Sequence, residues 1–193
     1  GRAAINDNVA YSAIIEEVDG ANLVTVVYVA AASAASEDVI YVSDGDTQHT
    51  FLDADDTRRT GREVTYYAYG SDEAETMIVD SRTDVNPGFY TQSGTNGEAV
   101  QLLGYGSNTV VNVQLNSMSS NGNYATMVGV VDSNRHLIDF NFTGALVVDV
   151  ADSNYASLTA IERALRNGET FFLSFTYDSD YAVETVYIQS VKS

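Results

Sequence analysis

The chain has 193 residues, enough for one large β domain or two small ones and for a substantial buried core. Nine Lys and Arg stand against 27 Asp and Glu, a net charge of −18 that repels nucleic-acid backbones and anionic lipid headgroups. There is no Cys, which excludes disulfides and thiolate chemistry, and a hydrophobic share of 45% excludes wholesale disorder.

The start, Gly1-Arg2-Ala3-Ala4, lacks the charged and apolar regions of a signal peptide and reads as a processed chain or an excised fragment. Residues 9–18 carry the period-two alternation of a half-buried strand. Asp19-Gly20 is a hairpin dipeptide, and residues 23–29 read as the return strand. The longest apolar-leaning run, 23–35, is interrupted by Thr25 and Ser33 and falls short of the ~18 residues that span a bilayer. The small-residue stretch 30–36 reads as a loop, since it offers a helix nothing to bury.

Val39-Ile40-Tyr41-Val42 reads as a short buried strand, and residues 44–61 as a long irregular acidic segment. A hairpin follows, with arms at 63–69 and 75–79 and a turn at Gly70-Ser71-Asp72-Glu73. Asn86-Pro87-Gly88 and Thr95-Asn96-Gly97 are turn signals on either side of Phe89-Tyr90-Thr91, and Ala99 to Leu103 continues as strand. Further strands are expected at 109–115, 124–131, 137–142 and 146–150, with an exposed polar loop at 117–123. Leu158, Ile161 and Leu165 form a helical stripe, started by Ser157 or Thr159 and ended at Asn167-Gly168. Strands at 170–177 and 183–191 flank Asp178-Ser179-Asp180 in a last hairpin. The fold class is therefore mainly β: antiparallel, as a β-sandwich or barrel-like sheets, with one short helix near 158–167. It is organised as one domain over 1–193, and any subdivision would fall near 83–97.

Candidate chemistry is sparse. The two histidines, His49 and His136, have no Gly-x-Ser-x-Gly elbow or neighbouring serine to make a triad. Acids cluster in turns, where Asp is favoured for local hydrogen bonding, rather than as the spaced pair of a glycosidase. Asp44, Asp46, Asp53, Asp55 and Asp56 are the candidate ligands for Ca²⁺, a cation that takes hard oxygen donors. Their segment is not an EF-hand loop: Arg58 stands where the sixth-position glycine belongs and Val64 where the bidentate Glu belongs. Plain solvation of these acids is the competing reading. Tyr66, Tyr67 and Tyr69 are candidate ligand-binding residues, as a stacking platform for sugars, although cross-strand packing explains alternate tyrosines equally well. Asn141-Phe142-Thr143 matches a glycosylation sequon by chance-level spacing.

Natural sheets blunt their edges with Lys, Pro and inward charges. This chain has Lys192 as its only Lys and Pro87 as its only Pro. Such a pattern suits edges completed by another copy or by a neighbouring domain, with assembly promoted by divalent cations that neutralise the acidic surface.

Several segments together resemble the β-rich regions of S-layer homology domain-containing surface proteins of Gram-positive bacteria. They are Asp38-Val39-Ile40-Tyr41-Val42, the hairpin from Tyr66-Tyr67-Ala68-Tyr69 to Met77-Ile78-Val79-Asp80-Ser81, Gly88-Phe89-Tyr90-Thr91, and the run Ser157 through Thr170. The S-layer homology repeat itself, which grips the cell wall, is not recognisable, so no binding residues carry over. The resemblance implies an extracellular structural module of the bacterial cell surface and not an enzyme. Its partners would be further copies in a homo-oligomer, polymer or filament, or neighbouring domains, with neither nucleic acid nor membrane insertion. An adhesin-like module for a glycan or host ligand is the alternative function.

Overall fold

The computed structural model describes residues 11–18, 21–29, 39–106, 108–131 and 134–192. The Asp19-Gly20 turn and the loop expected at 30–36 lie outside them. The chain divides into two units, Gly1–Ser33 and Ala34–Ser193. In the first, β1 (Tyr11–Val18) and β2 (Ala21–Val29) form an antiparallel hairpin with a register shift at Ile14/Ile15.

The second unit opens with a closed five-stranded barrel. Its strands are β3 (Val39–Leu52), β4 (Arg58–Ala68), β5 (Ala74–Val79), β6 (Gly88–Asn96) and β7 (Ala99–Gly104), ordered β3-β4-β5-β7-β6 with β6 returning to β3. Closure between β5 and β7 rests on the parallel pair Val79↔Val100 and a 2.9 Å bond from the Asp80 amide to the Val100 carbonyl. Residues 83–97 run into β6, which pairs on both sides within this barrel.

The acidic stretch 44–61, expected to be irregular, is instead most of a long hairpin between β3 and β4, turned at residues 53–57. Register shifts at Val42/Asp44 and Asp44/Thr47 disguise it, because each extra residue breaks the alternation by which a strand is read. Gly45 sits in this bulged region, and a Cβ there would come within 2.7 Å of the Val85 carbonyl oxygen.

Six strands make the second sheet: β8 (Thr109–Met118), β9 (Tyr124–Val131), β10 (Asn134–Asn141), β11 (Leu146–Asp149), β12 (Thr170–Thr176) and β13 (Thr185–Lys192). Their order is β10-β9-β8-β12-β13-β11, antiparallel except for the β11–β13 pair. The helix α1 (Leu158–Arg166) starts at Ser157, whose side chain accepts from the Ala160 amide, and ends at Asn167 with Gly168 at φ +97°. Ile161 and Ala164 of α1 join Leu115, Met127, Phe140, Phe142, Phe171, Leu173 and Phe175 in the core of this half. The fold is thus mainly β with one short helix, as the patterning implied.

A distinct aromatic plate joins barrel and sheet. Cross-strand partners Phe89, Tyr41 and Tyr67 line up on β6, β3 and β4 on the outside of the barrel, opposite the face bearing Ile40, Val42 and Val64. Tyr187 of β13 covers them: its ring stacks on Tyr41 at 4.1 Å and meets Tyr67 and Phe89 at 5.8 and 5.9 Å. Val148 of β11 packs in the same cluster. Burial pushes the hydroxyls of Tyr41 and Tyr187 well above the usual phenol range, so the plate is uncharged.

Candidate functional site

Two places on the second unit offer unsatisfied chemistry: one end of the barrel and one edge of the six-stranded sheet.

At the barrel end, the β3–β4 turn and the β6–β7 turn are tied together. Asp53 organises the first. Its Oδ1 accepts from the Asp55 and Thr57 amides at 3.0 and 2.8 Å, and its Oδ2 accepts from Arg59 Nε at 2.7 Å. The Arg59 hydrogen bond, then the Thr57 amide, hold its carboxyl below the ordinary carboxylate range. Asn96 Oδ1 accepts from the Ala54 amide, the Glu98 amide donates to the Leu52 carbonyl, and the Leu52 amide donates to Glu98 Oε2. Gly97 makes this approach feasible. It lies at φ +60°, and a Cβ there would fall 2.2 Å from the Leu52 carbonyl oxygen.

Beside these turns opens a cleft of about 480 Å³ lined by Arg58, Arg59, Thr60, Asp80, Arg82 and Asn96. Asn96 Nδ2 donates to Asp80 Oδ2 at 2.8 Å. Arg59 is committed to Asp53, whereas exposed Arg58 and Arg82 make no ion pair among the described residues.

The expected Ca²⁺ ligands are not brought together. Asp44 and Asp46 are exposed on β3, Asp55 and Asp56 are exposed in the turn, and Asp53 is buried and engaged as above. Among the described residues no three His, Asp or Glu side chains are grouped to hold a metal. The tyrosines divide as well. Tyr67 and Tyr69 belong to the aromatic plate, with Tyr67 buried, whereas Tyr66 packs on the opposite face and donates to Glu75 Oε2 at 2.7 Å. Alternation along β4 is the reason: neighbours in a strand point to opposite faces. Tyr69 donates to Glu184 Oε2 at 2.8 Å. His49 faces Glu63 at 3.7 Å in the barrel, and His136 is exposed on β10 in the other sheet.

The sheet edge is β10. It pairs with β9 over all eight residues without a register shift, and among the described residues β9 is its sole partner strand. At its end, the Asn141 amide donates to the Tyr181 carbonyl and the Asn141 carbonyl accepts from the Val183 amide. The Phe142 amide, one residue on, donates to Asn123 on the β9 side. Two-residue periodicity then turns the N–H and C=O groups of Arg135, Leu137 and Asp139 away from β9, to the open side. Their side chains share the exposed face, and Leu137 is 66% exposed. Thr126 Oγ1 donates to Asp139 Oδ1 at 2.5 Å. The barrel has no open edge, and the opposite edge of this sheet, β11, is only four residues long.

Sequence reasoning missed both groups. Arg58-Arg59 inside an acidic run was a visible signal, but Asp80, Arg82 and Asn96 reach the cleft only through barrel closure. No family model matches this chain, and neither the curated proteins nor the solved structures contain a significant match.

Proposed function

We propose that this chain is a structural assembly module of a bacterial cell-surface layer or extracellular filament, joining to a second copy of itself through β10. The observation that carries the reading is the unbulged β10 edge, with outward N–H and C=O groups on three alternate residues. An edge of this kind, without Lys, Pro or a bulge, is a template for strand addition. The sequence is self-complementary. With two β10 strands antiparallel about a two-fold axis at Leu137, Leu137 faces Leu137 and Arg135 faces Asp139 twice. All three outward residues then fall in hydrogen-bonded pairs, giving six inter-chain hydrogen bonds in one continuous sheet.

Each hydrogen bond contributes about 0.5–1.5 kcal/mol, against an association cost of roughly 4–15 kcal/mol. Six such bonds give at most about 9 kcal/mol, which leaves about 5 kcal/mol after the smallest association cost, so the contact alone has a dissociation constant of about 0.2 mM at best and suits many-copy assemblies. Repulsion between two chains at −18 weakens it further, so added salt or a divalent cation strengthens it. A two-fold contact closes on itself, so a layer needs a second contact elsewhere on the protein. On this reading the protein is extracellular and structural, and its chemistry is contact rather than turnover.

Charge reversal tests it. By sedimentation, Arg135→Asp or Asp139→Arg alone abolishes self-association, and an equimolar mixture of the two restores it, because every Asp then faces an Arg. Since the chain has no Cys, Leu137→Cys should also oxidise to a covalent dimer. A wild-type monomer at millimolar concentration, with and without Ca²⁺, would overturn the proposal.

A further inference from the structure

The barrel-end cleft takes no part in that contact. Three of the nine cations of a chain with net charge −18 line it. Among the described residues four arginines, Arg58, Arg82, Arg135 and Arg163, make no ion pair, and two of these four line this one cleft. Arg59 is neutralised by Asp53, while Arg58 and Arg82 present their guanidinium donors with no carboxylate of this chain bound to them among the described residues. A guanidinium is a planar fork that matches a carboxylate. That feature calls for an anion.

Asp80 narrows the class. A site for a bare inorganic anion would exclude a carboxylate, yet Asp80 lies in the same lining, held by Asn96 through Oδ2. Among the described residues its Oδ1 accepts no hydrogen bond, and an acceptor of that kind suits a ligand hydroxyl. Thr60 adds a hydroxyl that both donates and accepts. Among the described residues no aromatic ring lines the cleft, so ligands held by stacking are not favoured. The volume, about 480 Å³, falls within the range of small-ligand sites. The walls are fixed by the Asp53, Asn96 and Glu98 hydrogen bonds, which spares the ligand the cost of ordering them.

We propose that this cleft binds an acidic saccharide of the uronate class, with its carboxylate on Arg58 and Arg82 and its ring hydroxyls on Asp80 and Thr60. This site is independent of the β10 contact. Arg58 and Arg82 are exposed, so their replacement leaves the fold intact, and an unchanged urea midpoint verifies that.

The test is titration calorimetry of the whole chain with a galacturonate trisaccharide, the neutral galactose trisaccharide and sodium sulfate. The galacturonate binds with a dissociation constant of about 0.1–1 mM, and the neutral sugar does not saturate. Arg58→Ala and Arg82→Ala each weaken binding by about fivefold to tenfold, and the double variant removes it. Asp80→Asn weakens galacturonate by several-fold. Arg163→Ala, on the exposed face of α1, changes nothing. Equal binding of the neutral sugar, binding that survives the double variant, or sulfate binding that galacturonate does not displace would each overturn the assignment.

Discussion

Tyr187→Ala probes the aromatic plate that unites barrel and sheet. The side chain is 1% exposed and touches Tyr41, Tyr67 and Phe89, three rings on three barrel strands. An aromatic side chain buries about 150–250 Å², which at ~25 cal/mol per Å² amounts to about 4–6 kcal/mol. Measured truncations of buried aromatics cost about 3–5 kcal/mol, so a loss of about 4 kcal/mol is expected. That corresponds to a fall in Tm of roughly 8–16 °C for a chain of this size. Urea unfolding followed in parallel by far-UV circular dichroism and tyrosine fluorescence measures it. Because the lost ring serves both halves, the second unit should still unfold in one transition by both probes. A loss below about 1.5 kcal/mol, or a barrel that melts with its wild-type midpoint while the sheet shifts, would refute the role given to the plate. Leu103→Ala, at a 63% exposed position, is the control and should stay within about 0.5 kcal/mol of wild type.

The Tyr41 hydroxyl is buried beside Ser174, whose Oγ already accepts from the Asn112 amide, and it makes no well-formed hydrogen bond. Tyr41→Phe should therefore be neutral or stabilising by up to about 1 kcal/mol in urea unfolding; a clear loss would contradict the unpaired hydroxyl. Gly97→Ala should cost about 3 kcal/mol, combining a left-handed backbone with a 2.2 Å approach to the Leu52 carbonyl oxygen, and the same urea titration reads it. Asp53 has a depressed folded pKa, so its stabilisation is present above the unfolded value of about 3.9 and is lost as pH falls through the folded value. The difference in urea midpoint between wild type and Asp53→Asn should therefore be largest near neutrality and shrink as the acid limb is descended; a gap that persists unchanged in strong acid would exclude the Arg59-paired carboxylate as its source.

Local patterning was enough to read most strands and the helix, because alternation, turn dipeptides and the Leu158, Ile161, Leu165 stripe are short-range signals. Ser157 over Thr159 as the cap, and the strand character of residues 44–61, were not legible. The first turned on backbone geometry at one residue, and the second on bulges that shift the period without leaving a compositional mark. The candidate sites show the same division. Tyr66, Tyr67 and Tyr69 read as one group along the chain, yet strand alternation separates Tyr66 from the other two. Arg58, Asp80 and Arg82 read as strangers, yet barrel closure makes them neighbours.

By itself, then, the sequence determined an acidic, cysteine-free, mainly β chain whose apolar residues alternate, since charge and period-two burial are properties of composition and of adjacent residues. Only the tertiary structure decided which strands close into a barrel, which edge stays open and which arginines go unpaired. Those outcomes depend on pairings between residues far apart in the chain, as between Val79 and Val100 or Tyr41 and Tyr187, and no local signal encodes such partners.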